Sequence, residues 1–62
     1  MWDQTQIMAA IESAKDDLGE AVTVVEASVV GGNLRLALRD AQGELLAVYS
    51  AAPGGDPTRL GD

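Results

Sequence analysis

The first third of the chain alternates apolar and polar residues with the period of an α-helix. Its apolar residues recur at spacings of four, three and four and would form one stripe on such a helix: Ile7, Ile11, Ala14 and Leu18. Asp3 and Gln6 have the spacing of a capping box, in which each side chain bonds the backbone of the other. Gly19 is suited to the left-handed conformation that ends many helices. The pattern therefore predicts a helix over residues 4–18.

The chain then changes to the residue types and the period of two that are typical of β-strands. The segment VTVVEASVV, residues 22–30, is rich in β-branched residues, and LRLALR, 34–39, alternates strictly. A third strand is predicted for ELLAVYS, 44–50. The linking segments GGN, 31–33, and DAQG, 40–43, suit tight hairpin turns. The sequence thus predicts an α+β fold, with one N-terminal helix packed on a three-stranded antiparallel meander.

The turns set the expected register, and the register sorts the side chains between the two faces of the sheet. A turn on Gly32 and Asn33 would place Ala27 opposite Leu38, and a four-residue loop would place Leu38 opposite Leu45. The face that the helix covers should then hold nine residues: Val25, Ala27, Val29, Leu34, Leu36, Leu38, Leu45, Ala47 and Tyr49.

The opposite, outer face of the sheet is expected to be more apolar than a solvated face requires. The residues that make it so are Val30, Ala37, Leu46 and Val48. A solvated sheet face usually reads polar, and an adjacent group of exposed apolar side chains often marks an interaction surface. We interpret these four residues as a self-association surface, most simply that of a homodimer. Two alternatives stay open: β-propensity alone, or a C-terminal tail folded over them.

The last segment, AAPGGDPTRLGD, differs from the rest in carrying both prolines and three glycines. Proline cannot donate a ladder hydrogen bond, so we expect this segment to add nothing to the sheet. The chain is accordingly divided into one α+β domain, residues 1–50, and a flexible C-terminal tail, residues 51–62. Alternatively, Arg59 and Leu60 dock on a partner or on a neighbouring subunit.

Composition restricts both stability and chemistry. A chain of 62 residues buries little surface, and without cysteine it has no disulfide to compensate, so self-association is the remaining remedy. It also contains no histidine, which removes the usual general base and the commonest transition-metal ligand. Its one lysine, Lys15, has an acidic neighbour that favours the charged form. We therefore expect no enzyme, no metal site and no cofactor.

The charge balance indicates which partners suit the chain. Ten acidic residues against four basic ones give a net charge of −6, which disfavours direct contact with nucleic acid or an anionic membrane. The N-terminus has neither the basic region nor the apolar run of a secretory signal, and no apolar run has the length that spans a bilayer, so a cytoplasmic protein is expected.

The acids crowd towards the end of the predicted helix. They are Glu12, Asp16, Asp17 and Glu20. Acids there oppose the helix dipole, each by about 0.3 to 1 kcal/mol where exposed. One interpretation is an ordinary solvated face, and the functional one is a negative surface for a basic protein partner.

Small size, acidity and absent catalytic residues together resemble the general profile of phage-encoded inhibitors, such as anti-CRISPR proteins and other DNA-mimicking blockers. No family motif accompanies that resemblance. It implies a non-enzymatic inhibitor that docks on a basic, nucleic-acid-binding protein surface. The alternatives are a structural or assembly subunit, such as a small virion or scaffold component that forms homo-oligomers, and a small regulatory or ligand-binding module.

Overall fold

A computed structural model describes residues 2–61 of the protein and shows an α+β fold, as the sequence predicts. One helix precedes four strands: α1 (Gln4–Leu18), β1 (Val24–Val30), β2 (Asn33–Arg39), β3 (Leu45–Ala51) and β4 (Thr58–Leu60). The strands form a single antiparallel sheet in chain order, β1-β2-β3-β4. The fourth strand is one more than the pattern predicts.

Local signals set both ends of α1. The Asp3 carboxylate accepts a hydrogen bond from the Gln6 backbone N–H at 2.8 Å, and the Gln6 side-chain oxygen accepts one from the Asp3 N–H at 3.0 Å. At the other end Gly19 has a φ of 70° and donates its N–H to the Lys15 carbonyl oxygen. The predicted helix and both of its caps are confirmed.

The core lies between α1 and the two central strands. The helix packs on β2 and β3, and it presents the small residues Ala10 and Ala14 to them. The buried cluster consists of Ala10, Ala14, Leu34, Leu36, Leu38, Ala47 and Tyr49. Because alanine has a short side chain, the helix lies close to the sheet, and larger, half-buried residues close the rim: Trp2, Ile7, Ile11, Leu18, Val22 and Val25.

The first hairpin turns one residue earlier than expected. Gly31 and Gly32 have φ values of 59° and 83°, the pair of positive angles that a two-residue hairpin loop needs, and glycine adopts them without strain. Ala27 consequently lies opposite Leu36, and the expected pairing with Leu38 was wrong. The shift is two residues, so every side chain keeps its face of the sheet.

Strand β1 lies beyond the cover of the helix. Val25 is half-buried, as a residue at the rim of the core. Ala27 and Val29, which the pattern placed in the core, are exposed, and 56% of the Val29 surface is accessible to solvent. Because α1 sits over β2 and β3, the core-side face of β1 is left open at its centre and at its far end.

The second hairpin contains a β-bulge, which moves Leu45 out of the core. Leu38 pairs with Ala47 but Arg39 pairs with Leu45, so Leu45 and Leu46 together oppose one residue of β2. Leu45 is 51% exposed, and its expected place in the core was wrong.

The cause of the bulge lies in the turn that precedes β3. The Asp40 carboxylate accepts hydrogen bonds from the backbone N–H groups of Gln42 and Glu44, each at 2.9 Å. The Asp40 N–H in turn donates to the Glu44 carbonyl oxygen at 3.0 Å. Glu44 is thereby used to close the turn, and β3 starts one residue later than the pattern predicts.

The fourth strand comes from the segment that was expected to add nothing to the sheet, and that expectation was wrong. Thr58, Arg59 and Leu60 pair with Ser50, Tyr49 and Val48 of β3. Pro53 and Pro57 both precede this strand, so neither interrupts its hydrogen-bond ladder.

Candidate protein-binding surfaces

The outer face of the sheet, which α1 does not cover, is organised in rows that cross the strands. One row contains Glu26, Ala37, Val48 and Leu60. Its residue on β1 is charged, and the other three are apolar. Ala37 and Val48 are half-buried, and Leu60 is 39% exposed. The next row is polar: Ser28, Arg35, Ser50 and Thr58. The apolar part of this face is therefore a band, with the two leucines of the bulge beside it.

The four residues predicted for self-association do not all lie together. Ala37 pairs directly with Val48, and Leu46 belongs to the bulge at the neighbouring end of β3. Val30 instead pairs with Asn33 beside the first turn, four residues along β1 from Glu26, which faces Ala37. Four residues of a strand span about 13 Å, so the polar row separates Val30 from the other three.

Charged groups divide this outer face. Arg39 donates from Nε to the Glu26 carboxylate at 2.8 Å and from Nη1 to the Gly43 carbonyl oxygen at 3.0 Å. Arg35 is exposed and makes no ion pair within residues 2–61. Between these groups the sheet forms a shallow concavity of about 510 Å³, with Leu45 and Val48 on its apolar side. The surface thus combines apolar area with one uncompensated positive charge.

The acids predicted as a partner-binding surface are exposed. Glu12, Asp16 and Glu20 take part in no ion pair within residues 2–61, where the one ion pair joins Arg39 to Glu26. Asp17 has a second role, because its Oδ2 accepts a hydrogen bond from the Tyr49 hydroxyl at 2.8 Å. The helix end therefore carries three carboxylates that form no ion pair within residues 2–61, and a fourth, Asp17, that joins the helix to the sheet.

The hydroxyl of Tyr49 has an environment that shifts its pKa. Its side chain is fully buried in the core. Burial raises the pKa of the Tyr49 phenol, and both the hydrogen bond to Asp17 and that carboxylate's negative charge raise it further, whereas the charge of Arg59 lowers it. The phenol is held protonated as a donor that links β3 to the end of α1.

We expect this phenol to make the protein less stable at alkaline pH. The folded chain holds the Tyr49 proton more tightly than the unfolded chain, whose phenol has a pKa near 10.0, so the free energy of unfolding falls as pH rises through that value. Urea unfolding from about pH 9 to about pH 11 should show a steeper loss for the parent than for Tyr49→Phe, which cannot titrate. Parallel losses would show that the phenol is not responsible.

A second concavity lies between the helix and the loop before β4. It has a volume of about 200 Å³, and its walls are Trp2, Gln6, Ala9, Ala10, Ser13 and the loop residues Gly54, Gly55, Asp56 and Pro57.

The Trp2 indole N–H donates to the Gly32 carbonyl oxygen at 3.1 Å, which holds the N-terminal segment against the first hairpin turn. In the described part of the chain no three acidic side chains converge to hold a metal ion.

The sequence pattern did not place two residues on the outer face: Leu45 was expected in the core, and Leu60 was considered as a docking residue but not as part of the sheet. Leu45 and Leu60 both lie on the outer face, beside Arg39 and Val48 respectively. The aspartate that begins the DAQG turn is a sequence signal for a side-chain-closed turn and could have placed Leu45. No comparable local signal exists for Leu60, since its pairing depends on β3.

Comparison of the chain with models of known protein families, with curated proteins and with solved structures found no match. Among residues 2–61 there is no helix with the length and apolar character needed to cross a bilayer.

Proposed function

We propose that the chain is a non-enzymatic binding protein that docks through its acidic helix end on the basic surface of a nucleic-acid-binding protein. The observation that carries the proposal is the state of Glu12, Asp16 and Glu20, which are exposed and unpaired by any base within residues 2–61. Carboxylates that no internal base neutralises keep their full charge for a partner.

The arrangement of these acids supports the same proposal. Glu12 and Asp16 are four residues apart on α1, which places their Cβ atoms about 5–6 Å apart on one side of the helix. Like charges at this spacing weaken a helix slightly, and Asp16, in the last turn, also opposes the helix dipole. A negative surface kept at a small cost in stability suits long-range attraction to a positive one.

Blocking of a nucleic-acid site follows naturally from such docking. A protein that covers a basic groove with carboxylates in place of phosphates competes with the nucleic acid, as anti-CRISPR proteins and other DNA mimics do, and this is the inhibitor class we propose. The proposal places the protein in the cytoplasm, without direct binding to nucleic acid or membrane.

A capture experiment with charge-matched variants tests this proposal. Immobilised parent protein should retain nucleic-acid-binding proteins from a lysate, release them as salt is raised, and lose them to competing duplex DNA. Asp16→Asn with Glu20→Gln should weaken that capture severalfold. Asp17 is left unchanged, because it holds Tyr49.

The control removes the same charge elsewhere. Glu44→Gln with Asp56→Asn also deletes two carboxylates, but from the second hairpin turn and from the loop before β4. This variant should capture the same proteins as the parent does. Equal loss in both double variants would show a net-charge effect without a defined site. Capture that is insensitive to salt and to DNA would contradict docking on a nucleic-acid surface.

The outer face favours a second candidate function, that of an assembly subunit. Its apolar band of Ala37, Val48 and Leu60 is larger than a solvated sheet face requires. Oligomers larger than a dimer that grow with protein concentration and need no partner would support this function over the inhibitor.

A further inference from the structure

Strand β1 is an open edge of the sheet that lacks the usual protection. It is the outermost strand and seven residues long, and its pairing with β2 runs without a bulge. Six of its residues are exposed, including Val24, Val29 and Val30 at 44%, 56% and 48%. Proteins normally blunt such an edge with proline, a charged side chain such as lysine, or a bulge. VVEASVV has neither proline nor lysine, and its one charged residue, Glu26, is paired with Arg39 of the neighbouring strand.

The first turn determines which backbone groups of β1 are free. A two-residue loop closes on the pair Val30 and Asn33, which exchange backbone hydrogen bonds. Because such pairs alternate along an antiparallel ladder, Val24, Glu26 and Ser28 also direct their N–H and C=O groups towards β2. The groups of the residues between them, Val25, Ala27 and Val29, point to the open side.

The segment VVEASVV has the same order of residue classes in both directions: two valines, a polar residue, alanine, a polar residue and two valines. Antiparallel pairing reverses one strand relative to the other, so such a segment can pair with itself. We propose that two copies of the chain form a two-fold dimer through β1, centred on Ala27, in which the two four-stranded sheets become one.

This register matches the side chains on both faces. On the core side, Val25 lies opposite Val29 of the second copy and Ala27 lies opposite its own copy. On the outer side, Val24 lies opposite Val30, and Glu26 lies opposite Ser28, whose hydroxyl can donate to the carboxylate. The three residues with free backbone groups supply about six backbone hydrogen bonds across the axis.

The charges also complement one another. Arg35, which has no ion pair within residues 2–61, is the β2 neighbour of Ser28. In the dimer it lies two strand spacings, about 10 Å, from the backbone of the second copy's Glu26, with only the small Ser28 between them. Long arginine and glutamate side chains can close that separation.

Neighbouring registers that use the same free groups fit worse. Moving the axis to Glu26 places two glutamates directly opposite each other, which is destabilising. Moving it to Ser28 places Val30 opposite Glu26 and leaves Val24 unpaired. The register centred on Ala27 is the one in which each residue meets its own class. The dimer does not involve the acidic helix end, so it can fail while the proposed function holds.

Sedimentation at matched concentrations tests the interface. Ala27→Lys should halve the sedimenting mass, because two ammonium groups would meet across the axis, although the substitution lowers the magnitude of the net charge. Ala41→Lys makes the same change in the exposed second turn and should leave the dimer intact. Leu46→Glu, on the outer face, should also leave the dimer intact. A parent that stays monomeric at all concentrations overturns the proposal, and so does a dimer broken by Leu46→Glu but not by Ala27→Lys.

Cysteine pairing tests the register and needs no destabilising charge. The chain contains no cysteine, so Glu26→Cys and Ser28→Cys each introduce a single thiol. Opposite residues of a non-hydrogen-bonded pair have Cα atoms about 4.5 Å apart, within disulfide range. Under mild oxidation a mixture of the two variants should give a crosslinked dimer, and each variant alone should not. Rapid crosslinking of Glu26→Cys alone or Ser28→Cys alone, or none in the mixture, would overturn the register.

Discussion

Leu36→Ala should lower the free energy of unfolding by about 2 to 5 kcal/mol and leave most of the chain unfolded. Leu36 has no exposed surface, and it lies on a central strand between Ala27 of β1 and Tyr49 of β3. Its truncation opens a cavity beneath the helix that neither strand can fill. A domain of this size has a total stability of only a few kcal/mol, so the loss is comparable to the whole.

The matched control is Leu45→Ala, the same truncation at an exposed position of the same sheet. It should lose less than about 1 kcal/mol, since about half of its surface stays in water in the folded protein. Urea unfolding followed by circular dichroism compares the two. Equal losses would mean that the helix-covered face has been assigned incorrectly.

Ala14→Leu should destabilise the protein by about 1 to 3 kcal/mol, for the opposite reason. Ala14 is fully buried where α1 lies against the sheet, and a leucine there would push the helix away from β2 and β3. Helix propensity does not account for such a loss, because alanine and leucine are both good helix formers.

Ala9→Leu provides the comparison within the same helix. Ala9 is exposed, so its enlargement should change the unfolding midpoint little. If Ala14→Leu were as stable as Ala9→Leu, the close approach of helix and sheet would be wrong.

The sequence predicted those parts of the fold that depend on near neighbours. Each end of the helix is set by residues close together in sequence, Asp3 with Gln6 at the start and Gly19 directly after Leu18, so both ends could be predicted from the local pattern. The central strand was equally clear, because its three leucines alternate with exposed or half-buried residues and all three are buried.

The register could not be predicted from the same information. GGN permits a loop on Gly31 and Gly32 or on Gly32 and Asn33, and the choice shifts β1 by two residues. Whether β1 is covered depends on where the helix crosses the sheet, which the period of a strand does not report. The strand formed by Thr58–Leu60 depends on an available edge of β3.

The candidate surfaces also combine features that the local sequence predicts with features that depend on residues far apart in the chain. The exposure of Glu12 and Asp16 followed from the helical period, whereas Glu20 lies beyond the end of the helix. The bond from Tyr49 to Asp17 joins residues 32 positions apart, and no local pattern indicates it. For that reason a variant that removes Asp17 with its neighbours would mix a loss of stability with a loss of surface charge.

The long-range contacts of α1 also bear on the order in which the chain folds. The two hairpins join residues close in sequence, whereas the side-chain bonds that hold the helix, Trp2 to Gly32 and Tyr49 to Asp17, span 30 and 32 residues. Closing long loops costs more chain entropy, which favours formation of the hairpins before the helix docks. Because Trp2 is the single tryptophan and it holds the segment that leads into α1 against the first turn, its fluorescence reports the docking step separately from formation of the sheet.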